Sequence, residues 1–373
     1  MEIVGIIAEY NPFHSGHRYH IDKIKEMYND SLIIAVISSS FTQRGEVSIL
    51  NKWDKTKIAL DNNVDIVIEL PFVYSSQSAD VFAKGALTIL NALKVDKIVF
   101  GSECNDIEKL KEIASVQIDN KQFDEKVKKY LASGDNYPTS ISKSLKDLNI
   151  EKIDSPNDLL AISYLKEIIR NNYKIEAVSI ERTNNYHGNN EGKILSASEI
   201  REKIKNNQRV SDYINYDENL IYKNTDFFPL LKYQIINNLD KLNNYQTVDE
   251  GIENRIKKCI NKVTTTEEII KALKTKRYTY NKINRMLVHI LTGLSKEESK
   301  LNIDYIRVLG FNKKGRIYLN EIKKETILKI ITKYKDIDSP LLELEKKASF
   351  IYSIVVNDSS LMMREFGKPI HKE

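Results

Sequence analysis

Short apolar runs alternate with amphipathic stretches along the first two hundred residues. Residues 3–8 (IVGIIA), 32–37 (LIIAVI) and 64–70 (VDIVIEL) are near-continuous apolar runs, the pattern of strands buried on both faces. Residues 95–100 and 174–180 predict two more strands, the second alternating as an edge strand does. Residues 52–62 predict a short helix. Ala79, Phe82, Ala86, Ile89, Leu90 and Leu93 recur at helical spacing and make one apolar face. Strand–helix alternation of this kind predicts an α/β fold, a Rossmann-like parallel sheet with right-handed crossovers. With strand order 3-2-1-4-5, ligands bind beyond the carboxyl ends of strands one and four, where the order reverses. Residues 104–150 are charged and helical, an insertion between strands four and five. From about Asn206 the alternation stops. The chain therefore reads as two domains, 1–205 and a mainly α-helical, basic 206–373.

The turn after the first strand carries the chemistry. Pro12 biases Asn11 toward extended backbone. His14-Ser15-Gly16-His17 then delivers two histidines to a helix N-terminus. Such an end carries free N–H groups and partial positive charge, which suits phosphate, and Gly16 allows close approach. His14 and His17 are placed to donate to phosphate oxygens as charge develops. Three of the six histidines fall within this one stretch, His20 being the third. Metal ligation and simple capping are the competing readings; the usual zinc pair on a helix is spaced i, i+4. The fourth strand ends in Gly101-Ser102-Glu103, where Gly101 would let a nucleotide lie against backbone. The fifth ends in Glu181-Arg182, followed by a polar loop holding His187. Ser196 and Ser198 cap a further helix, and Arg201 lies one turn in, placed to neutralise a phosphate. Arg44, in the polar loop 38–46, reads equally as a crevice residue and as an exposed one.

Charge changes the picture of the second half. The net charge is +5, but residues 1–200 carry about 24 basic and 29 acidic side chains against about 33 and 23 beyond, a pattern that points to a polyanion on the second half. Within 271–291, Ile283, Met286, Leu287, Ile290 and Leu291 share one helical face. Lys274, Lys276, Arg277, Tyr278, Lys282 and Arg285 supply basic groups with a tyrosine among them, which suits RNA phosphates and an unstacked base. Arg307, Lys313 and Lys314 extend the same surface, while His289 reads as structural. Cys104 and Cys259 match no metal or redox spacing, as two reduced thiols would. No signal peptide or membrane-length apolar run is present, so a cytoplasmic protein without membrane contact is expected.

HSGH after a first strand resembles the HxGH motif of the nucleotidyl transferase superfamily. SASEIR resembles that superfamily's second motif, with Ala197 where a hydroxyl residue often sits and Leu195 before Ser196. The combination is narrower. GIIAEYNPFHSGHRYH, SFTQRGEVSILNKWDK, VDIVIELPFVYSSQSAD, FGSE, SPNDLLAISYL, ERTNNYHG and SASEIR occur in one order. Together they resemble the bacterial tRNA(Met) cytidine acetate ligase family, strongly over 1–201 and more loosely beyond.

The resemblance implies ATP plus acetate giving acetyl-adenylate and pyrophosphate, with acetyl transfer to N4 of the wobble cytidine of elongator tRNA(Met). It implies a nucleotide site at Ile7, Ala8, Glu9, Asn11, Phe13, His14, Gly16, His17 and His20, with Gly101, Asn157 and Arg182. Catalytic groups would be His14, His17, Ser198 and Arg201. A magnesium ion would accompany the ATP; the sequence offers no dedicated metal ligands. Two competing readings are a small-molecule adenylyltransferase, which leaves the basic half unused, and a non-catalytic RNA-binding nucleotide sensor, which need not keep transition-state groups.

Overall fold

The computed structural model describes residues 1–373 apart from 152, 183, 184, 187–191 and 194. The loop reading that includes His187 lies outside the described residues. The first half runs β1 (Ile3–Ala8), α1 (Ser15–Met27), β2 (Leu32–Ser38), α2 (Lys52–Asp61), β3 (Ile66–Leu70), α3 (Phe72–Ser75), α4 (Ala79–Ala92), β4 (Lys97–Ser102). Three helices then fill the charged stretch, α5 (Ile107–Asp119), α6 (Lys121–Ala132) and α7 (Tyr137–Lys146), before α8 (Pro156–Asn171) and β5 (Glu176–Glu181). A short strand pair, β6 (Asn185–Tyr186) and β7 (Gly192–Lys193), precedes α9 (Ala197–Lys205).

The sheet order is β3-β2-β1-β4-β5 with every pair parallel, as the alternation predicts. β2 and β3 are buried at every residue, which is why their sequences lack alternation. β5 sits at the edge and is partly exposed throughout its interior.

Beyond Asn206 come α10 (Phe228–Asn237), α11 (Ile252–Cys259), α12 (Thr266–Leu273) and α13 (Tyr280–Thr292). The chain then returns to the sheet. β8 (Tyr305–Asn312) pairs antiparallel with β3, and α14 (Lys313–Ile322) follows it. β9 (Lys329–Ile331) pairs with β8, α15 (Pro340–Val355) and α16 (Ser360–Glu365) follow, and β10 (Ile370–Lys372) closes the far edge beside β8. The 206–373 stretch is mainly helical, as expected, and its strands β8, β9 and β10 complete the sheet begun by the first half. Arg307, read from the sequence as surface, is 1% exposed at the centre of β8.

Its burial has a partner set. Arg307 donates to Glu69 at 2.9 Å, to Glu365 at 2.6 Å and to the Tyr334 hydroxyl at 3.2 Å. Lys52, equally buried, bonds Glu69 at 2.6 Å and Glu365 at 2.5 Å. Glu345 completes the group, accepting from Ser39 at 2.7 Å and from the Phe72 amide at 2.5 Å. Buried charges persist only when paired in this way. The network ties α2, β3, β8, α15 and α16 into one core, so the sheet under the crevice depends on residues from both ends of the chain.

Candidate active site

β1 ends at Ala8 and its chain turns sharply into α1. Tyr10 adopts a left-handed φ of 46°, uncommon for a bulky residue. Its ring is held by edge contacts with Phe13 at 4.9 Å and His17 at 5.0 Å. Phe13 is fully buried, so it supports the turn from beneath. Ile7 and Ala8 are half-buried at the strand tip.

His14 is the N-cap of α1. Its Nδ1 accepts from the Gly16 amide at 3.0 Å, and the Nδ1 of His17 accepts from the His14 amide at 3.2 Å. This is a capping box built from two histidines. An Nδ1 that accepts carries no proton, so each neutral ring carries its proton on Nε2. Neither Nε2 has a partner among the described residues. The rings lie against each other, centroids 3.9 Å apart and planes tilted by 36°.

Burial, then the nearby charges of Arg182 and Arg201, pull His14 down to about 4. Burial and the neighbouring His14, His20 and Arg182 hold His17 well below its usual value. Two neutral N–H donors therefore sit side by side. The backbone amides expected to meet phosphate are already engaged: Ser15 donates to Tyr213 at 3.1 Å, Gly16 to His14, and His17 to the His14 carbonyl at 2.9 Å. His20 does not face solvent; its ring bonds the Val99 backbone and its Nε2 is buried without a partner among the described residues.

The sites on later elements converge here. Arg201 of α9 donates through Nη1 to the Asn11 carbonyl at 2.8 Å, and its Nη2 lies 3.3 Å from the Ser198 hydroxyl and 2.9 Å from Glu46 Oε2. Asn11, almost fully buried, accepts from the Ile49 amide at 2.9 Å. Ser196 caps α9 in a box with Glu199. Glu9 accepts from the Gln43 amide at 2.6 Å, and burial, the largest influence, pushes its carboxyl above the usual range.

Across the crevice, Gly101 leaves room for the Arg182 stem, whose Cγ would lie 3.0 Å from a Cβ there. The space expected for a nucleotide thus holds an arginine that faces it. Arg182 Nε lies 4.0 Å from Glu103, to which Asn157 also donates. Asp158, fully buried, organises this loop. It accepts from Ser102 at 2.5 Å and from the Glu103 and Cys104 amides at 3.0 and 3.1 Å, with Ser155 as a further donor. Sequence reading passed over Asp158, although Ser155-x-x-Asp158 has the spacing of a capping box.

The basic stretch divides. Lys274, Lys276 and Arg277 are exposed beside the α6–α7 turn, where Lys276 pairs with Asp135 at 2.7 Å and Arg277 reaches Glu250 at 3.8 Å. Tyr278 is 3% exposed and its hydroxyl bonds the Thr247 and Asp249 carbonyls at 3.1 and 2.7 Å. It cannot stack on a base, because its ring faces the core and Lys282 covers it at 4.0 Å. Arg285 is half-buried, and burial lowers it to about 10. Its backbone abuts Gly45, where a Cβ would lie 2.3 Å from the Arg285 nitrogen.

Among the described residues no group of three or more His, Cys, Asp and Glu could hold a metal ion. Glu9 and Glu46, the crevice carboxylates, are engaged by Gln43 and Arg201. No described helix is long and apolar enough to cross a membrane.

The sequence profile of the HIGH Nucleotidyl Transferase family matches residues 1–365. Similar proteins include the tRNA(Met) cytidine acetate ligases of Fusobacterium nucleatum, 40% identical with 92% of each chain covered, and of Anoxybacillus flavithermus, 36% identical with 99% of each covered. The crystal structure of Thermotoga maritima TmcAL bound with alpha-thio ATP superposes with a TM-score of 0.89 at 28% identity, covering 100% of this chain and 99% of that one.

Proposed function

This chain belongs to the HIGH Nucleotidyl Transferase family, and from that premise we propose that it is a tRNA(Met) cytidine acetate ligase. The acetate carboxylate attacks the α-phosphorus of ATP in line, forming acetyl-adenylate as the bond to pyrophosphate breaks. The cytidine amine at N4 then attacks the acetyl carbonyl, AMP leaves, and the amine gives up a proton. The first step needs positioning and charge neutralisation more than covalent help. Positioned neutral donors suit it: the Nε2–H groups of His14 and His17 meet the α-phosphate oxygens, while Arg201, steadied by Asn11 and Ser198, faces the leaving pyrophosphate. Arg182 and Asn157 border the nucleotide from the β4 side. Magnesium would accompany the triphosphate and would add positive charge beside the phosphates, which His14, His17 and Arg201 meet from the protein side.

The observation that carries this reading is the histidine capping box. It engages both Nδ1 atoms on backbone amides and leaves both Nε2–H groups without a partner among the described residues. For the acceptor, Lys274, Lys276, Arg277, Lys282 and Arg285 offer cations to RNA phosphates, without Tyr278. The test uses purified protein, total bacterial tRNA, ATP, magnesium and isotope-labelled acetate, with tRNA digestion and mass spectrometry. ATP-dependent label in acetylcytidine is expected. Pyrophosphate release with another substrate and no label would replace this function with a small-molecule adenylyltransferase.

A further inference from the structure

Loop 41–47 closes on itself through a Phe41–Val47 bridge, with Thr42 donating to the Glu46 carbonyl at 2.9 Å and Gly45 to the Thr42 carbonyl at 3.0 Å. The Gln43 side chain anchors it to the Gln77 carbonyl at 2.8 Å and the Ser75 hydroxyl donates to the Phe41 carbonyl at 3.3 Å; three further contacts join it to the site and its surroundings. The Gln43 amide holds Glu9 at the tip of β1 at 2.6 Å. Glu46 holds Arg201 of α9 at 2.9 Å. Gly45, at φ 77°, lies against the Asn284 and Arg285 backbone of α13 so closely that a Cβ would fall 2.5 and 2.3 Å from their atoms. One short loop thus touches the strand tip, the arginine of the second motif and a basic helix.

Arg201 has one edge committed to scaffold, its Nη1 on the Asn11 carbonyl. The Nη2 edge carries the Glu46 carboxylate. The two side chains are 22% and 31% exposed, so this ion pair is open to solvent rather than sealed in the core. A phosphate oxygen bonding Arg201 from the crevice needs the same edge. Carboxylate and phosphate are both anions and cannot share it without strong repulsion. Glu46 also bears on Glu9, helping to push that carboxyl up, so a triphosphate arriving beside both would face two acidic neighbours.

We propose that Glu46 is a latch on Arg201: the triphosphate displaces its carboxylate, and the displaced loop shifts its Gly45 contact with α13, linking nucleotide binding to RNA binding. The inference rests on the proposed function, since it takes Arg201 as a phosphate ligand and α13 as part of the RNA surface. Linkage is reciprocal, so RNA seated on α13 favours the unlatched loop and strengthens nucleotide binding.

The test measures the affinity of an ATP analogue with a non-cleavable α,β bridge, with and without bacterial tRNA. Wild type, Glu46→Gln, Arg201→Gln and the double variant are compared. Without tRNA, Glu46→Gln is expected to bind the analogue about 10-fold more tightly than wild type. The same change in the Arg201→Gln background should have no effect, since the latch then has nothing to hold. tRNA should strengthen binding in wild type and far less in Glu46→Gln. Unchanged or weaker binding by Glu46→Gln, or an equal gain in the Arg201→Gln background, would overturn the latch. Equal wild-type affinity with and without tRNA would overturn the link to α13. A wild-type protein that binds no analogue would instead remove the nucleotide reading on which the latch stands.

Discussion

At the residue scale the proposed chemistry rests on two imidazoles, and their protonation follows from what they touch. Burial holds His14, His20 and His289 down to about 4, and His17 well below its usual value. The unfolded chain binds a proton at each near pH 6.5. The folded chain waits until near pH 4 at His14, His20 and His289, and until well below the usual value at His17. Between these values the unfolded state carries more protons, so stability rises with pH there and is lost on acidification, by up to about 1.4 kcal/mol per pH unit for each histidine. Urea midpoints at pH 7, 5.5 and 4.5 should fall in that order; a level series would contradict neutral buried rings. Tyr278 makes the opposite point about legibility. Its place among lysines looked like a base platform, but only tertiary contacts with Thr247 and Asp249 reveal a buried hydroxyl. Tyr278→Phe should cost about 1–3 kcal/mol in stability and leave tRNA affinity unchanged in a filter-binding assay. Weakened RNA binding at full stability would restore the stacking role.

Whole elements were easier to read than their ends. The parallel strands and the 3-2-1-4-5 order follow from uninterrupted apolar runs and crossover rules, and the structure has them. The HSGH turn and Arg201 were legible because strand–turn–helix context gives a histidine pair and a capped arginine a place to meet. The props were not. Asp158 gathers three partners that lie more than fifty residues earlier, and no periodicity marks that. Asp158→Ala takes the acceptor from two amides and two hydroxyls, so a loss of about 3 kcal/mol or more with a raised KM for ATP is expected. An unchanged KM would detach the 101–104 loop from the nucleotide site. Gly45→Ala adds strain of about 1–2 kcal/mol from its left-handed backbone alone, and the collision with α13 adds to that. Its melting temperature should drop by several degrees.

Across the whole molecule, catalytic sheet and basic helices are one body through β8. A sequence boundary near 205 was natural, because strand–helix alternation ends there. The return strand was hidden by Arg307, a charge in the middle of an apolar run, whose partners Glu69 and Glu365 are far away in the sequence. Arg307→Leu leaves those carboxylates in the core with Lys52 and the Tyr334 hydroxyl and should cost about 3–5 kcal/mol, seen as a lower urea midpoint. For the same reason a 1–205 fragment exposes the β3 edge and loses the network, so it should fail to fold as a soluble unit.

The nucleotide step can be isolated from RNA entirely. Protein, ATP, magnesium and labelled acetate are mixed without tRNA, and acetyl-adenylate is separated and counted for wild type and His17→Ala, with tRNA affinity measured in parallel. Wild type should form the adenylate, and His17→Ala should form it about 10²-fold more slowly, the scale of losing one positioned donor, while binding tRNA as before. Adenylate formation at the wild-type rate in His17→Ala would contradict the site.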